Sequence, residues 1–186
     1  MLKLILQRAL LLLTCIVLSA CASQFSSSAA ISIAPAASLN LNSMAPSMYG
    51  RSWQQVLFIT TGQEQHTLLS QLAVNEAGGV RLLMMTSQGF PIVELEKSPK
   101  EPIKAKKMLV GVDINPAYVL ADIALVHWPV AFINEQLSGA LVEQVGTHRQ
   151  VLQNHKTLIT IDYNDDAITL HNIVRDYKII FKKVTQ

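Results

Sequence analysis

The sequence predicts an α+β fold: a curved antiparallel sheet, or unclosed β-barrel, lidded by short helices. Three observations predict it. Short alternating apolar segments separated by Gly-, Asn- and Ser-containing turns run from Trp53 to Glu96. A stretch with helical spacing then opens at Asn115-Pro116. Strand-like alternation resumes from Ala140 to Val184, and strands, then helices, then strands is the order of a segregated α+β domain.

Each element has a local reason. Gln54 to Thr61 reads as a strand that turns at Gly62-Gln63-Glu64-Gln65, and His66 to Asn75 returns with Leu68, Leu72 and Val74 on one face. Glu76-Ala77-Gly78-Gly79 supplies glycines where a hairpin turn wants positive φ. Val80 to Thr86 and Ile92 to Glu96 complete a four-strand meander around the Ser87-Gln88-Gly89-Phe90-Pro91 turn. Lys97 to Lys107 is rich in lysine and carries two prolines, the composition of a loop or of an edge strand protected from pairing. Asn115 is placed to cap a helix with Pro116 in its first turn, and Trp128-Pro129 ends it. Val130 to Leu137 reads as a second short helix or turn. The segments Ala140–Val145, Arg149–Leu152, Thr157–Tyr163, Ala167–Asn172 and Tyr177–Val184 finish the chain as strands.

The ends have a different character. Met1 to Ala20 has a basic start (Lys3, Arg8) and then an apolar run, the layout of a secretory signal and too short after Arg8 to span a bilayer. It ends in Leu18-Ser19-Ala20-Cys21, which resembles the bacterial lipobox, so Cys21 is expected to carry a diacylglycerol thioether and an N-acyl chain. With Cys15 discarded and Cys21 acylated, the mature domain has no thiol with which to form a disulfide. The residue after the cysteine is Ala22 rather than Asp, and the resemblance to Gram-negative lipoproteins then implies sorting to the outer membrane. Residues 21–50 are otherwise rich in Ser, Ala, Asn and Pro and lack charge up to Gly50, which reads as a flexible linker reaching roughly 30 Å. Within it Ile31, Ile33, Leu39 and Leu41 alternate, which leaves open a short strand docked on the domain. The domain proper is expected over 51–186.

Composition narrows the function. Only 15 % of the residues are charged, and with Lys3 and Arg8 removed the basic and acidic side chains balance. A nucleic-acid partner recognised by a basic surface is excluded on that ground. No Gly-x-Ser-x-Gly elbow and no Gly-rich phosphate loop occurs, and the five histidines lack ligand spacing. The expectation is a non-enzymatic protein with no metal and no cofactor.

Two stretches resemble known families. Val80-Arg81-Leu82-Leu83-Met84-Met85-Thr86-Ser87-Gln88-Gly89-Phe90-Pro91-Ile92-Val93-Glu94-Leu95-Glu96 is similar to the central hairpin of the LolB family of outer-membrane lipoprotein receptors. Leu120 to Pro129, with Arg149, Ile159–Tyr163 and Asp176–Ile179, resembles a family of outer-membrane lipoproteins often encoded beside aryl-polyene genes. The LolA/LolB resemblance implies an unclosed barrel with an apolar interior for acyl chains and a periplasmic LolA-like carrier as partner. It also implies a membrane-insertion tip, whose matching position here is Gln88, with Phe90 nearby as the apolar substitute. The residues expected to wall and lid the cavity are Trp53, Leu68, Leu72, Leu83, Met85, Leu120, Ile123 and Trp128. The chain is thus expected to be an outer-membrane lipoprotein that binds an amphiphile (lipid, polyene-lipid or lipoprotein acyl chain) for delivery to that membrane. The alternative is an adaptor with a filled core that docks on an envelope assembly machine.

Overall fold

A computed structural model describes residues 23–27, 29–108 and 115–184. The N-terminal signal, Cys21 and Ala22 lie outside the described residues.

The strands are β1 (Ser23–Ser27), β2 (Ala30–Ala34), β3 (Ala37–Asn40), β4 (Ser52–Thr61), β5 (Glu64–Val74), β6 (Val80–Thr86) and β7 (Pro91–Lys97). They continue with β8 (Ile103–Lys107), β9 (Leu137–Ser138), β10 (Leu141–Val145), β11 (His148–Gln153), β12 (Lys156–Tyr163), β13 (Ile168–Asn172) and β14 (Tyr177–Lys183). Two helices, α1 (Pro116–His127) and α2 (Val130–Gln136), separate the two runs. The architecture is the expected α+β class.

Eleven strands form one antiparallel sheet in the order β1-β8-β7-β6-β5-β4-β14-β13-β12-β11-β10. The meander β4 to β8 runs outward from the centre, β10 to β14 returns, and β4 pairs with β14 at the seam. Among the described residues β1 and β10 each pair on one side only, so the sheet is not closed into a barrel. Alternation decides its faces. Leu57, Ile59, Leu68, Leu72, Leu82, Met84, Val93 and Leu95 point inward and are buried, as do Ile179 and Phe181 on β14.

Helix α1 starts where the sequence places it. Asn115 Oδ1 accepts the Ala117 N–H at 3.0 Å, and Pro116 occupies the first turn, where its missing N–H is no loss. Apart from Tyr118 and His127, every residue of the helix is buried. A helix apolar on all sides must be enclosed rather than laid on a surface. The enclosure has two parts, since α1 packs against β13 of the main sheet and against β2.

That second contact corrects the linker expectation for residues 29–50. β2 and β3 form a hairpin, and β3 pairs with β9, making a separate three-stranded sheet across the open side of the concavity. Ile31, Ile33, Leu39 and Leu41 are all at most 5 % exposed, and Met44, Ala45 and Met48 join the same core. The segment lacks charge because it is half buried, not because it is a tether. Its docking is tight: Gln153 Nε2 donates to both Pro35 O and Gly139 O at 3.0 Å. A side chain on Gly139 (φ 76°) would place its Cβ 1.9 Å from the Ala36 carbonyl oxygen.

Two further expectations change. The lysine-rich segment does form a strand, but β8 lies between β7 and β1 rather than at an edge. Leu83 and Met85 lie on the outer face, because β6 buries Val80, Leu82 and Met84 instead. A shift of one residue in a strand transfers a side chain to the opposite face. Arg81 marks the outer set, since it pairs there with Glu94 at 2.5 Å.

Candidate functional site

The buried polar residues of the interior are mostly committed to holding α1. At its C-terminal end Arg149, 6 % exposed, donates from its guanidinium to Leu125 O, to Trp128 O at 3.1 Å and to Val126 O at 3.4 Å. Arg149 Nε donates to Gln144 Oε1 at 2.9 Å, and the Tyr163 hydroxyl donates to Val126 O at 2.7 Å. The last carbonyls of a helix have no partner within it, and a cation there also meets the negative end of its dipole.

At mid-helix Asp122 is 3 % exposed and accepts the Tyr177 hydroxyl at 2.6 Å. Asn172 Nδ2 donates to the same hydroxyl at 3.2 Å. Burial pushes the Asp122 carboxyl up to about 7, against the pull of the Tyr177 hydrogen bond and the Arg175 charge. Arg175 stacks on Tyr118 at 3.7 Å and donates to Ser32 O, tying the β2–β3 cover to the helix.

The exception is the far end of the seam. Past the Lys183–Gln55 pair the Val184 N–H donates to Gln54 O at 3.3 Å, and on its other side β4 pairs as far as Ser52–Ala73. Ser52, Trp53 and Gln54 border a cleft of about 840 Å³. It is half open to solvent, and its volume lies in the range of small-molecule sites. Trp53 and Gln55 reach it from the concave face of β4, and Gln54 and Gln71 from the convex face. Met48 and Val184 add apolar surface, and Arg51 and Lys183 add positive charge. Among the described residues no carboxylate lines the cleft, the nearest being Glu76 behind Gly50, and neither Arg51 nor Lys183 has an ion-pair partner.

His127, the last residue of α1, borders the same cleft. Its ring packs edge-on to Trp53 with centroids 5.5 Å apart and to Phe181 at 6.4 Å. Burial, reinforced by the Arg149 and Lys183 charges, lowers its pKa to about 4, so the imidazole is neutral at pH 7. The Gln55 side-chain amide nitrogen lies 3.4 Å from His127 Nε2, where it donates to the unprotonated ring nitrogen. The cleft therefore offers an aromatic wall, neutral hydrogen-bonding groups and two cations.

The structure separates the residues expected to form one apolar cavity. Leu68, Leu72, Leu120, Ile123 and Trp128 are 0–4 % exposed and belong to the packed core beneath and within α1. Leu83 and Met85 are on the outer face. Trp53 alone of the eight lines the cleft. Gln88 and Phe90 sit at the β6–β7 turn, with Phe90 65 % exposed. Arg51, Gln55, His127 and Lys183 were not anticipated. Their signal was faint: a glutamine on the inward parity of a strand and a histidine ending an otherwise apolar helix. Among the described residues no three His, Cys, Asp or Glu side chains converge on a metal site, and no helix is long and apolar enough to cross a membrane.

A family model, described as a protein of unknown function (DUF3261), matches residues 52–185. The chain belongs to the DUF3261 family. No curated protein matches it. The DUF3261 match spans β4 to β14 and both helices, and therefore includes Trp53, Gln55, His127 and Lys183. The β1–β3 segment, with Met48 and Arg51 of the cleft, lies before it.

Proposed function

We propose that this DUF3261 protein is an outer-membrane lipoprotein, acylated at Cys21 and facing the periplasm, that binds an anionic amphiphile in the cleft beside Trp53. The observation that carries the reading is the composition of that cleft. Trp53, Met48 and Val184 suit a hydrocarbon segment, while the cations Arg51 and Lys183 suit a carboxylate or phosphate. Each fully buried methylene contributes about 0.8 kcal/mol, and a half-open cleft collects less. The two cations supply orientation and a salt-sensitive share of the affinity.

The resemblance to LolB supports a transport role in which a soluble LolA-like carrier delivers or receives the amphiphile. The site differs from the one the resemblance implies, because α1 and the β2–β3 cover occupy the concave interior. The reading assigns no catalysis.

The test is displacement of a fluorescent fatty acid by unlabelled fatty acids from the mature domain, exported without its anchor. Saturable binding that weakens with salt and with Arg51→Glu supports the carrier. A folded domain that binds neither fatty acid nor phospholipid contradicts it. The filled interior favours a second reading in that event, an adaptor that docks on an envelope assembly machine.

A further inference from the structure

The strand directions divide the main sheet into two rims. Ser23, the first residue of β1, pairs with Lys107 at the end of β8. The β6–β7 turn, the β4–β5 turn and the β13–β14 turn lie at the same end of their strands, as the pairings Met85–Pro91, Thr61–Glu64 and Asn172–Tyr177 require. The opposite rim carries the β10–β11 turn with Val145 and the cleft beside Ser52 and Lys183.

We infer that the rim bearing the start of β1, with the Ile173–Val174 turn, rests on the bilayer surface, so that the cleft opens away from the membrane. This rests on the acylation of Cys21 proposed above. Ala22 is the one residue between Cys21 and Ser23. An extended chain advances at most about 3.6 Å per residue, so the anchor holds this rim within roughly 10 Å of its own Cα. A domain hung from a long tether would have no such orientation, but the segment that resembled a tether is folded.

The chemistry of the rim agrees. Ile173 and Val174 are consecutive, 45 % and 39 % exposed, and stand at the β13–β14 turn. Phe90 projects from the β6–β7 turn of the same rim. Lys156 and Lys178 also lie at this end, beside Glu64 and Asp176, and such lysines suit anionic headgroups. An amphiphile in the cleft is then exchanged with the periplasmic side, where a soluble carrier approaches, and not directly with the leaflet that holds the anchor.

The full acylated chain tests this. Its mature form has Cys21 as its only cysteine, already blocked by lipid, so Val174→Cys and Val145→Cys each accept one environment-sensitive fluorophore. The labelled proteins are reconstituted into phosphatidylethanolamine–phosphatidylglycerol vesicles that contain spin-labelled acyl chains. Quenching several-fold stronger at position 174 than at 145 is expected. Equal quenching, or stronger quenching at 145, overturns the orientation while leaving the anchor and the cleft intact. Intact mass of the mature protein separates the two claims: absence of the acyl mass at Cys21 overturns the anchor and this inference with it, whereas fatty-acid displacement still reports on the cleft.

Discussion

On helix α1 the Asp122 carboxyl is buried and the His127 ring is half-buried, and the surroundings of the two differ. Around Asp122 the donors come from the protein itself: Tyr177 donates to it, Asn172 donates to Tyr177, and Arg175 closes the layer beneath β2. Around His127 one ring nitrogen has the Gln55 amide at 3.4 Å, and beyond it lies the cleft. The first region is closed by the protein's own groups, and the second opens to solvent. Satisfied buried polar groups specify structure, whereas open ones mark a place where solvent or ligand completes the set.

The largest way to break this comparison is through the groups that seal the helix. Arg149→Ala leaves the carbonyls of Leu125 and Trp128 buried without their donor, and is expected to cost about 2–4 kcal/mol in urea unfolding. Arg51→Ala, at the cleft, is expected to change stability by no more than about 0.5 kcal/mol. Next comes Tyr177→Phe, which strips a donor from Asp122 and an acceptor from Asn172. Its expected cost is about 1–3 kcal/mol. A Tyr177→Phe protein as stable as the parent would show that the first region is not sealed in the way described.

Proton linkage sharpens the contrast. The folded state holds the Asp122 proton up to about 7, against 3.8 unfolded, so Asp122 alone makes stability fall as pH rises through that window. It holds His127 neutral down to about 4, against 6.5 unfolded, so His127 alone makes stability rise with pH over 4 to 6.5. In the shared window the two slopes oppose, and stability is expected to be nearly flat with pH. Asp122→Asn should expose a rise approaching 1.4 kcal/mol per pH unit, and His127→Gln a fall of similar size. Equilibrium unfolding at pH 4.5, 5.5 and 6.5 reads all three proteins. Flat profiles in both variants would remove the opposition.

Much of the fold was legible because its strands alternate. β6 runs Val80–Thr86 as read from the sequence, and the helix begins at the Asn115 cap and Pro116. Phase was harder. Val80 to Met85 is apolar at every position but Arg81, so Leu83 and Met85 looked as eligible for the interior as Leu82 and Met84. The cover was hidden by composition: Ser, Ala and Pro between Ile31 and Leu41 mimic a tether, and burial there depends on a distant partner, α1, that no local pattern reveals. The cleft was the least legible part. Its lining comes from β4, β5, the end of α1 and the end of β14, which register brings together and no motif marks. Of the residues that carried the family resemblance, Trp128, Arg149, Tyr163 and Tyr177 belong to the core or hold the helix, and His127 borders the cleft.

The smallest expected effect on stability belongs to Arg51→Glu with Lys183→Glu, both on exposed side chains, again within about 0.5 kcal/mol. Their effect on binding should be large, a loss of several-fold in affinity for an anionic amphiphile that grows at low ionic strength.

The most direct measurement uses the tryptophan already in the cleft. The chain has two, Trp53 and Trp128, and Trp128→Phe leaves Trp53 as the sole reporter. Titration of that protein with dodecanoate should shift and saturate Trp53 emission, and the Arg51→Glu/Lys183→Glu version should respond only at much higher concentration. Emission that stays constant across the titration, in a protein that unfolds with a normal cooperative transition, would contradict an amphiphile site beside Trp53.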